Sequence, residues 1–119
     1  MAKFLIVDDS IFIRERLKNI LVKHQHDVVE AENGLVSIEK FKSESPDVVI
    51  MDITMPEMDG ITAVKEILKI DKTAQIIMLT NVGEQSIVLE ALQTGAIDYI
   101  TKPFDEEKLI NRIKLAMMN

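Results

Sequence analysis

The chain alternates short apolar runs with longer segments whose apolar residues recur every three or four positions. The short runs predict five strands, at residues 3–7, 27–31, 47–51, 75–79 and 97–100. The longer segments predict five helices, near residues 10–24, 34–43, 60–70, 84–93 and 105–118. In the first of these, Ile13, Leu17 and Leu21 follow helical spacing, which places them on one face. The pattern therefore predicts an α/β chain.

Strict alternation of strand and helix predicts one doubly wound parallel sheet, with right-handed crossovers and helices on both faces. The middle runs are apolar without alternation, as expected for strands that are covered on both sides. For five strands flanked by five helices, the leading prediction is the flavodoxin-like strand order 2-1-3-4-5. This order has its switch point between the first and third strands, where open sheets of this kind bind ligands.

Polar side chains with useful chemistry follow the ends of four predicted strands. Asp8 and Asp9 follow the first strand, and Asp52 follows the third. Thr80 follows the fourth strand, and Lys102 lies just beyond the fifth. Because parallel strands have their carboxyl ends at one edge of the sheet, we expect these five groups to meet there. Three carboxylates, a hydroxyl and an ammonium are suited to bind a divalent cation and a phosphoryl group.

Each aspartate also has an ordinary structural explanation. Asp9 or Ser10 would cap the first helix, and Asp52 would start a turn, as such residues commonly do. The three aspartates together argue otherwise, because two unit charges about 4 Å apart repel by about 4 kcal/mol at an effective dielectric constant of about 20. Such a cluster requires raised pKa values or a bound cation. Ligands that are all oxygen favour Mg²⁺ or Mn²⁺ over zinc.

The other polar candidates each have two interpretations. Lys102 is a countercharge to the aspartates, a phosphate ligand, or both. Thr80 either terminates its strand or donates to a phosphate oxygen. Tyr99, which we place at the end of the fifth strand, either packs with its hydroxyl in water or takes part in a switch. The bond before Pro103 lies in a tight turn where a cis peptide is an option.

Two histidines and four methionines are predicted to lie outside the site. His24 and His26 lie between a helix end and a strand, and two histidines without a third ligand make a weak metal site. We interpret them as solvated surface. The methionines are predicted to pack in the core or in loops rather than to form a recognition surface; they are Met51, Met55, Met58 and Met78.

Composition narrows the range of functions. The formal net charge of −6 argues against direct binding of nucleic acid, which needs a basic patch. The chain has no cysteine, which excludes disulfides and thiolate metal sites. The first apolar run is too short for a signal peptide, and no run approaches the ~20 apolar residues that span a bilayer. We therefore expect a single domain over residues 1–119, located in the cytoplasm, with no membrane partner.

Four segments together resemble the receiver domain of two-component response regulators. They are LIVDDS at 5–10, MDITMPEMDG at 51–60, MLT at 78–80, and GAIDY at 95–99 running into KPF at 102–104. The resemblance covers essentially the whole chain. The chain is similar to the stand-alone receivers found in chemotaxis. It implies that Asp52 accepts a phosphoryl group from the phosphohistidine of a histidine kinase, or from a small acyl phosphate. It also implies self-phosphorylation and self-dephosphorylation rather than turnover of an external substrate.

The resemblance further implies how a metal ion is bound. Asp9 and Asp52 would bind Mg²⁺ directly, and Mn²⁺ would be able to replace it. Asp8 would bind the ion through water, and the backbone carbonyl of Thr54 would supply a further ligand. Thr54 and Val82, which flank the site in such folds, are expected to tune dephosphorylation.

The switch itself is also carried over from the resemblance. Thr80 and Lys102 would hold the phosphoryl oxygens. Thr80 together with Tyr99 would report phosphorylation to the fourth helix, the fifth strand and the fifth helix. The chain departs from the family at Asn81, where members often carry alanine or another small residue. The larger side chain is expected to restrict attacking water or to bias the position of Tyr99.

Several functions remain as alternatives. A chemotaxis regulator would bind a downstream target such as a flagellar motor component, whereas the receiver of a DNA-binding transcriptional regulator would need an output domain that is absent here. A Mg²⁺-dependent phosphohydrolase with an aspartyl nucleophile would want a second carboxylate where Thr54 stands. A flavin protein of similar topology needs a phosphate-binding loop where Asp8 and Asp9 stand.

Overall fold

The computed structural model describes residues 1–81 and 83–118. In this part of the chain five strands form one parallel sheet; they are β1 (Lys3–Val7), β2 (Asp27–Ala31), β3 (Val48–Asp52), β4 (Gln75–Asn81) and β5 (Asp98–Lys102). Their order is β2-β1-β3-β4-β5, which confirms the predicted order. β1 pairs with both β2 and β3, so the switch point lies between β1 and β3.

Four helices connect the strands and a fifth follows the last strand, as the alternation predicts. They are α1 (Ile11–Lys23), α2 (Gly34–Glu44), α3 (Gly60–Ile70), α4 (Gln85–Thr94) and α5 (Glu106–Met117). Four of them begin at a side chain that caps the first turn, namely Ser10, Asn33, Asp59 and Asp105. Ser10 rather than Asp9 therefore caps α1. At the start of α4 the equivalent residue is Glu84, and no side chain in the described ranges caps that helix.

Three strands extend beyond the apolar runs that predict them. The runs end at residues 51, 79 and 100, whereas the strands end at Asp52, Asn81 and Lys102. The backbone ladder continues past the last apolar side chain, since Asp52 aligns with Leu79 and Asn81 with Lys102. Asp52 therefore ends a strand instead of starting a turn. For the same reason the placement of Tyr99 at the end of β5 is wrong, because it is the second residue of that strand.

Apolar side chains cover both faces of the sheet. One buried layer contains Phe41 of α2, Ile67 of α3 and Ala91 of α4. The other contains Leu17 of α1 and Leu109 of α5. The predicted packing role of the methionines agrees with the structure, since all four lie within or against the first layer: Met51, Met55, Met58 and Met78. The polar residues at the strand ends are thus carried on a sheet that is held from both sides.

The loop between β3 and α3 passes very close to the end of β3. The N–H of Gly60 donates to the carbonyl of Ile53 at 2.7 Å. A Cβ atom added at Gly60 would lie 2.1 Å from the carbonyl oxygen of Asp52, a distance that no side chain tolerates. Glycine is needed here for close backbone approach. The backbone around Asp52 is therefore held by the first turn of α3.

Candidate functional site

Three carboxylates converge where β1 and β3 end. Val7 aligns with Met51 across these neighbouring strands, so the residues that follow, Asp8 and Asp52, lie side by side at the carboxyl edge. Together with Asp9 they offer ligand oxygens that all lie within 4.8 Å of one another. Asp8 and Asp52 are buried, whereas Asp9 is exposed. The structure brings together all three aspartates that the sequence places in the site.

The surroundings of Asp52 oppose its ionisation. Burial, followed by the negative charge of Asp8, raises the pKa of Asp52 from 3.8 to about 6. The ammonium of Lys102 acts in the opposite direction and offsets part of this effect. A carboxylate in this environment is stabilised by any added positive charge. The pocket is therefore electrostatically prepared for a cation.

Lys102 supplies the nearest positive charge. Its Nζ atom lies 2.9 Å from Oδ2 of Asp8 and 3.2 Å from Oδ1 of Asp52. Burial lowers the pKa of Lys102, but the adjacent carboxylates of Asp8 and Asp52 outweigh burial and raise it. The ammonium therefore stays charged between the two acids. The peptide bond from Lys102 to Pro103 is cis, the option that the sequence leaves open.

Asp8 has one oxygen with a hydrogen bond and one without. Its Oδ1 atom accepts the N–H of Ser10 at 2.8 Å. Its Oδ2 atom is fully buried and, among the described residues, receives no hydrogen bond of acceptable geometry despite the nearby ammonium. Buried polar atoms normally have such a partner. A hard divalent cation would satisfy this oxygen, and the oxygen set of Asp8, Asp9 and Asp52 fits Mg²⁺ or Mn²⁺.

Arg14 of α1 contributes to the site without being foreseen from the sequence. Its Nη1 atom donates to the carbonyl oxygen of Asp8 at 2.6 Å, and its Nε atom donates to Oε1 of Glu30 at 3.1 Å. The rigid guanidinium fork holds these two acceptors in a fixed relation. Arg14 therefore fixes the backbone that carries Asp8. Its helical spacing resembles that of any polar helix residue, so no pattern in the sequence signals this role.

Thr80 is buried at the end of β4, but its hydroxyl is engaged outside the aspartate cluster. Its Oγ1 atom lies 3.0 Å from Oε1 of Glu84 and 3.1 Å from the carbonyl oxygen of Asn81. The hydroxyl of Thr54 donates to the other oxygen of the same carboxylate, Oε2, at 3.0 Å. Glu84 is the second residue that the sequence does not signal, because at the start of the predicted helix 84–93 it resembles any other polar residue near a helix end. The role expected for Val82 falls outside the described residues.

Tyr99 lies beside a groove that begins at Thr80. The groove has a volume of about 440 Å³, and its lining includes Thr80, Glu84, Leu89 and Tyr99. The guanidinium of Arg112 lies over the Tyr99 ring, 5.7 Å from its centroid, which is within range of a cation–π interaction. This position suits either packing or switching. The switch role of Tyr99 stays a prediction.

The two histidines have different surroundings. His24 is exposed, and its Nε2 atom lies 3.0 Å from Glu106, in agreement with a surface position. His26 is half-buried instead: its Nδ1 atom accepts the N–H of Ala2 at 3.1 Å, and its ring meets Phe4 edge-on at 4.9 Å. Burial and nearby positive charge lower the pKa of His26. His26 therefore helps to hold the start of β1 against the start of β2.

The sequence matches the family described as response regulator receiver domain over residues 4–114. The chain belongs to this receiver family. It is 55% identical over 112 residues to the chemotaxis protein CheY of Bacillus subtilis, and the match covers 93% of each chain. This membership favours the receiver hypothesis over the phosphohydrolase and flavin-protein alternatives.

Solved structures show the same receiver fold in chains of different length. The chemotaxis protein CheY4 of Vibrio cholerae superimposes with a TM-score of 0.93 at 33% identity, covering 98% of each chain. NtrX of Brucella abortus gives a TM-score of 0.95 at 28% identity, and the match covers 98% of this chain but 27% of NtrX. In the described ranges, no helix has the length and apolar character needed to cross a membrane.

Proposed function

We propose that this receiver domain is a phosphorylation-activated signalling switch in which Asp52 accepts the phosphoryl group. The observation that carries the proposal is the burial of Asp8 and Asp52 together at one strand edge, with the Lys102 ammonium between them. Such an arrangement lowers the stability of the folded state. It is therefore expected where the residues serve chemistry. Phosphoryl transfer depends mainly on positioning and charge neutralisation, and this pocket supplies both.

Mg²⁺ is the ion that the donor set suits, and Mn²⁺ would substitute for it. Asp9 and Asp52 would bind it directly, Asp8 through water, and Thr54 through its backbone carbonyl. When bound, the ion would neutralise charge on the phosphoryl group and on the acids around it. Arg14 would keep the backbone of Asp8 in place while the metal ion binds.

The chain's own residues carry the transfer. A carboxylate oxygen of Asp52 attacks phosphorus, the bond from phosphorus to the donor's histidine nitrogen or acyl oxygen breaks, and the donor leaves with its electron pair. Lys102 and the hydroxyl of Thr80 hold the phosphoryl oxygens. Water later attacks the phosphorus of the acyl phosphate, the bond from phosphorus to the Asp52 oxygen breaks, and inorganic phosphate leaves as the carboxylate is restored, so the activity is confined to the protein itself. The phosphoryl donor in the cell would be a histidine kinase.

The output is proposed to be a changed protein-interaction surface, reported through Thr80 and Tyr99. High identity to a chemotaxis protein over 93% of both chains supports a role in chemotaxis, with a target such as a flagellar motor component. Residues 1–119 would then act in the cytoplasm as one domain. A second candidate is the receiver of a longer DNA-binding regulator. The observation that favours this candidate is NtrX, in which the same fold occupies 27% of a longer chain.

The test is treatment of the purified chain with acetyl phosphate, in Mg²⁺ and in EDTA, followed by intact mass spectrometry. We expect one added phosphoryl unit in Mg²⁺ and none in EDTA. Reduction with borohydride converts an aspartyl phosphate to homoserine, and peptide mapping should place this change at Asp52. A phosphoryl unit on another residue, or labelling that ignores EDTA, would overturn the proposal.

A further inference from the structure

Glu84 stands at the start of α4 but does not cap that helix. The residues at the corresponding position of the other four helices accept a hydrogen bond from the first turn. Within residues 1–81 and 83–118, nothing does so for α4. Glutamate is not among the residues that commonly cap a helix, and the carboxylate of Glu84 turns instead towards the strand ends.

The carboxylate of Glu84 joins two segments that flank Asp52. Oε1 accepts from the hydroxyl of Thr80 at 3.0 Å and from the N–H of Asn81. Oε2 accepts from the hydroxyl of Thr54 at 3.0 Å. Thr54 lies two residues after Asp52, while Thr80 and Asn81 end the strand that pairs with β3. One side chain therefore connects the loop after β3 to the end of β4.

The hydroxyl of Thr80 has a single proton to donate. In the structure this proton has Glu84 and the carbonyl of Asn81 as its acceptors. It is not available at the same time to an oxygen of a phosphoryl group on Asp52. A hydrogen bond to a carboxylate is about twice as strong as one between neutral groups. The direction of the Thr80 hydroxyl is then decided by competition between two anions.

We infer that Glu84 is a positioning residue that retains Thr80 and Thr54 in the resting protein and releases Thr80 when Asp52 carries a phosphoryl group. The inference rests on the proposed function of Asp52. The exchange involves hydrogen bonds alone: the Thr80 hydroxyl leaves Oε1 of Glu84 and turns to a phosphoryl oxygen, and the Glu84 carboxylate then also leaves the N–H of Asn81. Repulsion between the new anion and the Glu84 carboxylate favours the exchange.

Release of Glu84 has a consequence for the groove beside Tyr99. Glu84 lines this groove together with Thr80, Val88 and Leu89. A released carboxylate would be able to interact with the unpaired N–H groups of the first turn of α4, where the helix dipole favours negative charge. Phosphorylation of Asp52 would thereby change the side chain that lines the groove at the start of α4.

The test uses the whole ¹⁵N-labelled chain and compares wild type with Glu84→Ala. The Asn81 amide proton, which is bonded to a carboxylate, should resonate downfield in the resting protein and move upfield in the variant. Beryllofluoride with Mg²⁺, a stable mimic of the phosphoryl group, should move the wild-type signal in the same direction. Labelling by acetyl phosphate should be faster in the variant by roughly threefold to tenfold, the range that corresponds to loss of the one hydrogen bond that holds the Thr80 hydroxyl.

Matched variants separate this role from a general effect of charge. Glu90→Ala removes a negative charge from the exposed face of α4 and should change neither the Asn81 signal nor the labelling rate. Glu84→Gln keeps the size of the side chain while removing its charge. It replaces Glu84→Ala as the test variant if the alanine variant does not fold. Thr54→Val cuts the bond to Oε2 alone and should accelerate labelling less.

Different outcomes distinguish this inference from the proposed function. An unchanged Asn81 signal in Glu84→Ala, or a rate no faster than that of Glu90→Ala, would overturn the positioning role even if Asp52 is labelled normally. Absence of any label on wild-type Asp52 would instead refute the function. In that case a shifted Asn81 signal would report only a contact in the loop, without a role in phosphorylation. The inference and the proposed function would then both be refuted.

Discussion

Polar residues have opposite surroundings at the two ends of the parallel strands, which we call the amino edge and the carboxyl edge of the sheet. At the amino edge, the N–H of Lys3 donates to Oδ2 of Asp47 at 2.7 Å, and its ammonium lies 3.4 Å from Glu44. Asp47 is exposed, Lys3 and Glu44 are partly exposed, and each of the three has a hydrogen-bond or ion-pair partner. At the carboxyl edge, Asp8 and Asp52 are buried side by side and share one cation, the ammonium of Lys102, which lies 2.9 Å from Asp8 and 3.2 Å from Asp52.

The difference separates charges that contribute to stability from charges that oppose folding. Exposed, paired charges at the amino edge have little desolvation cost and contribute modestly to stability. Buried like charges at the carboxyl edge oppose folding, because ionised groups lose their hydration there. Departures of this kind from good packing chemistry are expected at functional sites. Each experiment below therefore pairs a carboxyl-edge residue with an amino-edge one.

The largest difference is expected between Asp52→Asn and Asp47→Asn, two aspartates that bracket β3. Asp52→Asn should reduce labelling by acetyl phosphate at least about a hundredfold, because the nucleophilic oxygen is lost. Asp47→Asn should be labelled like the wild type. Intact mass against time measures both. Labelling of Asp52→Asn at the wild-type rate would mean that another residue is the acceptor.

A smaller effect is expected on metal affinity. Asp9→Ala should weaken Mg²⁺ binding by about tenfold or more, since one of three clustered carboxylates is removed. Asp27→Ala, an exposed aspartate at the start of β2, should leave the affinity unchanged and serves as the control for net charge. Isothermal titration calorimetry measures both constants. Equal affinity in the two variants would contradict the ligand assignment of Asp9.

Stability should change in opposite directions at the two edges. Without Mg²⁺ at pH 7, Asp52→Asn should raise the free energy of unfolding by about 1–2 kcal/mol, since it removes a charge whose pKa is raised in the folded state. Asp47→Asn should lower it by about 0.5–1.5 kcal/mol, because its hydrogen bond to the N–H of Lys3 is weakened. Urea unfolding measures both, and a loss of stability in Asp52→Asn would contradict the electrostatic account.

The smallest effects concern pH, and they again differ in sign. Because the pKa of Asp52 is raised to about 6 by folding, its penalty is full above that pH and disappears as pH falls towards 3.8. The advantage of Asp52→Asn should shrink over the same range. His26 has a lowered pKa, so its contribution is present above 6.5 and is lost as pH falls through its folded pKa. NMR titration of His26 should give a midpoint below 6.5; a midpoint above it would contradict burial as the cause.

Local pattern was sufficient to predict the fold and the centre of the site. Apolar runs and helical spacing predict a parallel sheet covered on two faces, because burial on both faces leaves a direct trace in the sequence, and the strand order expected for such a five-stranded sheet is the one observed. The convergence of Asp8, Asp9 and Asp52 follows from the same reasoning, since parallel strands end at one edge. The strand ends were less accurate, because backbone pairing continues past the apolar residues to Asn81 and Lys102.

What the sequence determined by itself is therefore the set of groups that strands carry to the carboxyl edge. Tertiary structure alone decided which neighbours restrain them: Arg14 against the carbonyl of Asp8, and Glu84 against the hydroxyls of Thr54 and Thr80. These contacts join side chains of a helix or a connecting segment to strand ends and loops, and their direction depends on how those segments pack. No periodicity along the chain encodes that direction, because it arises only when the sheet and its helices are assembled.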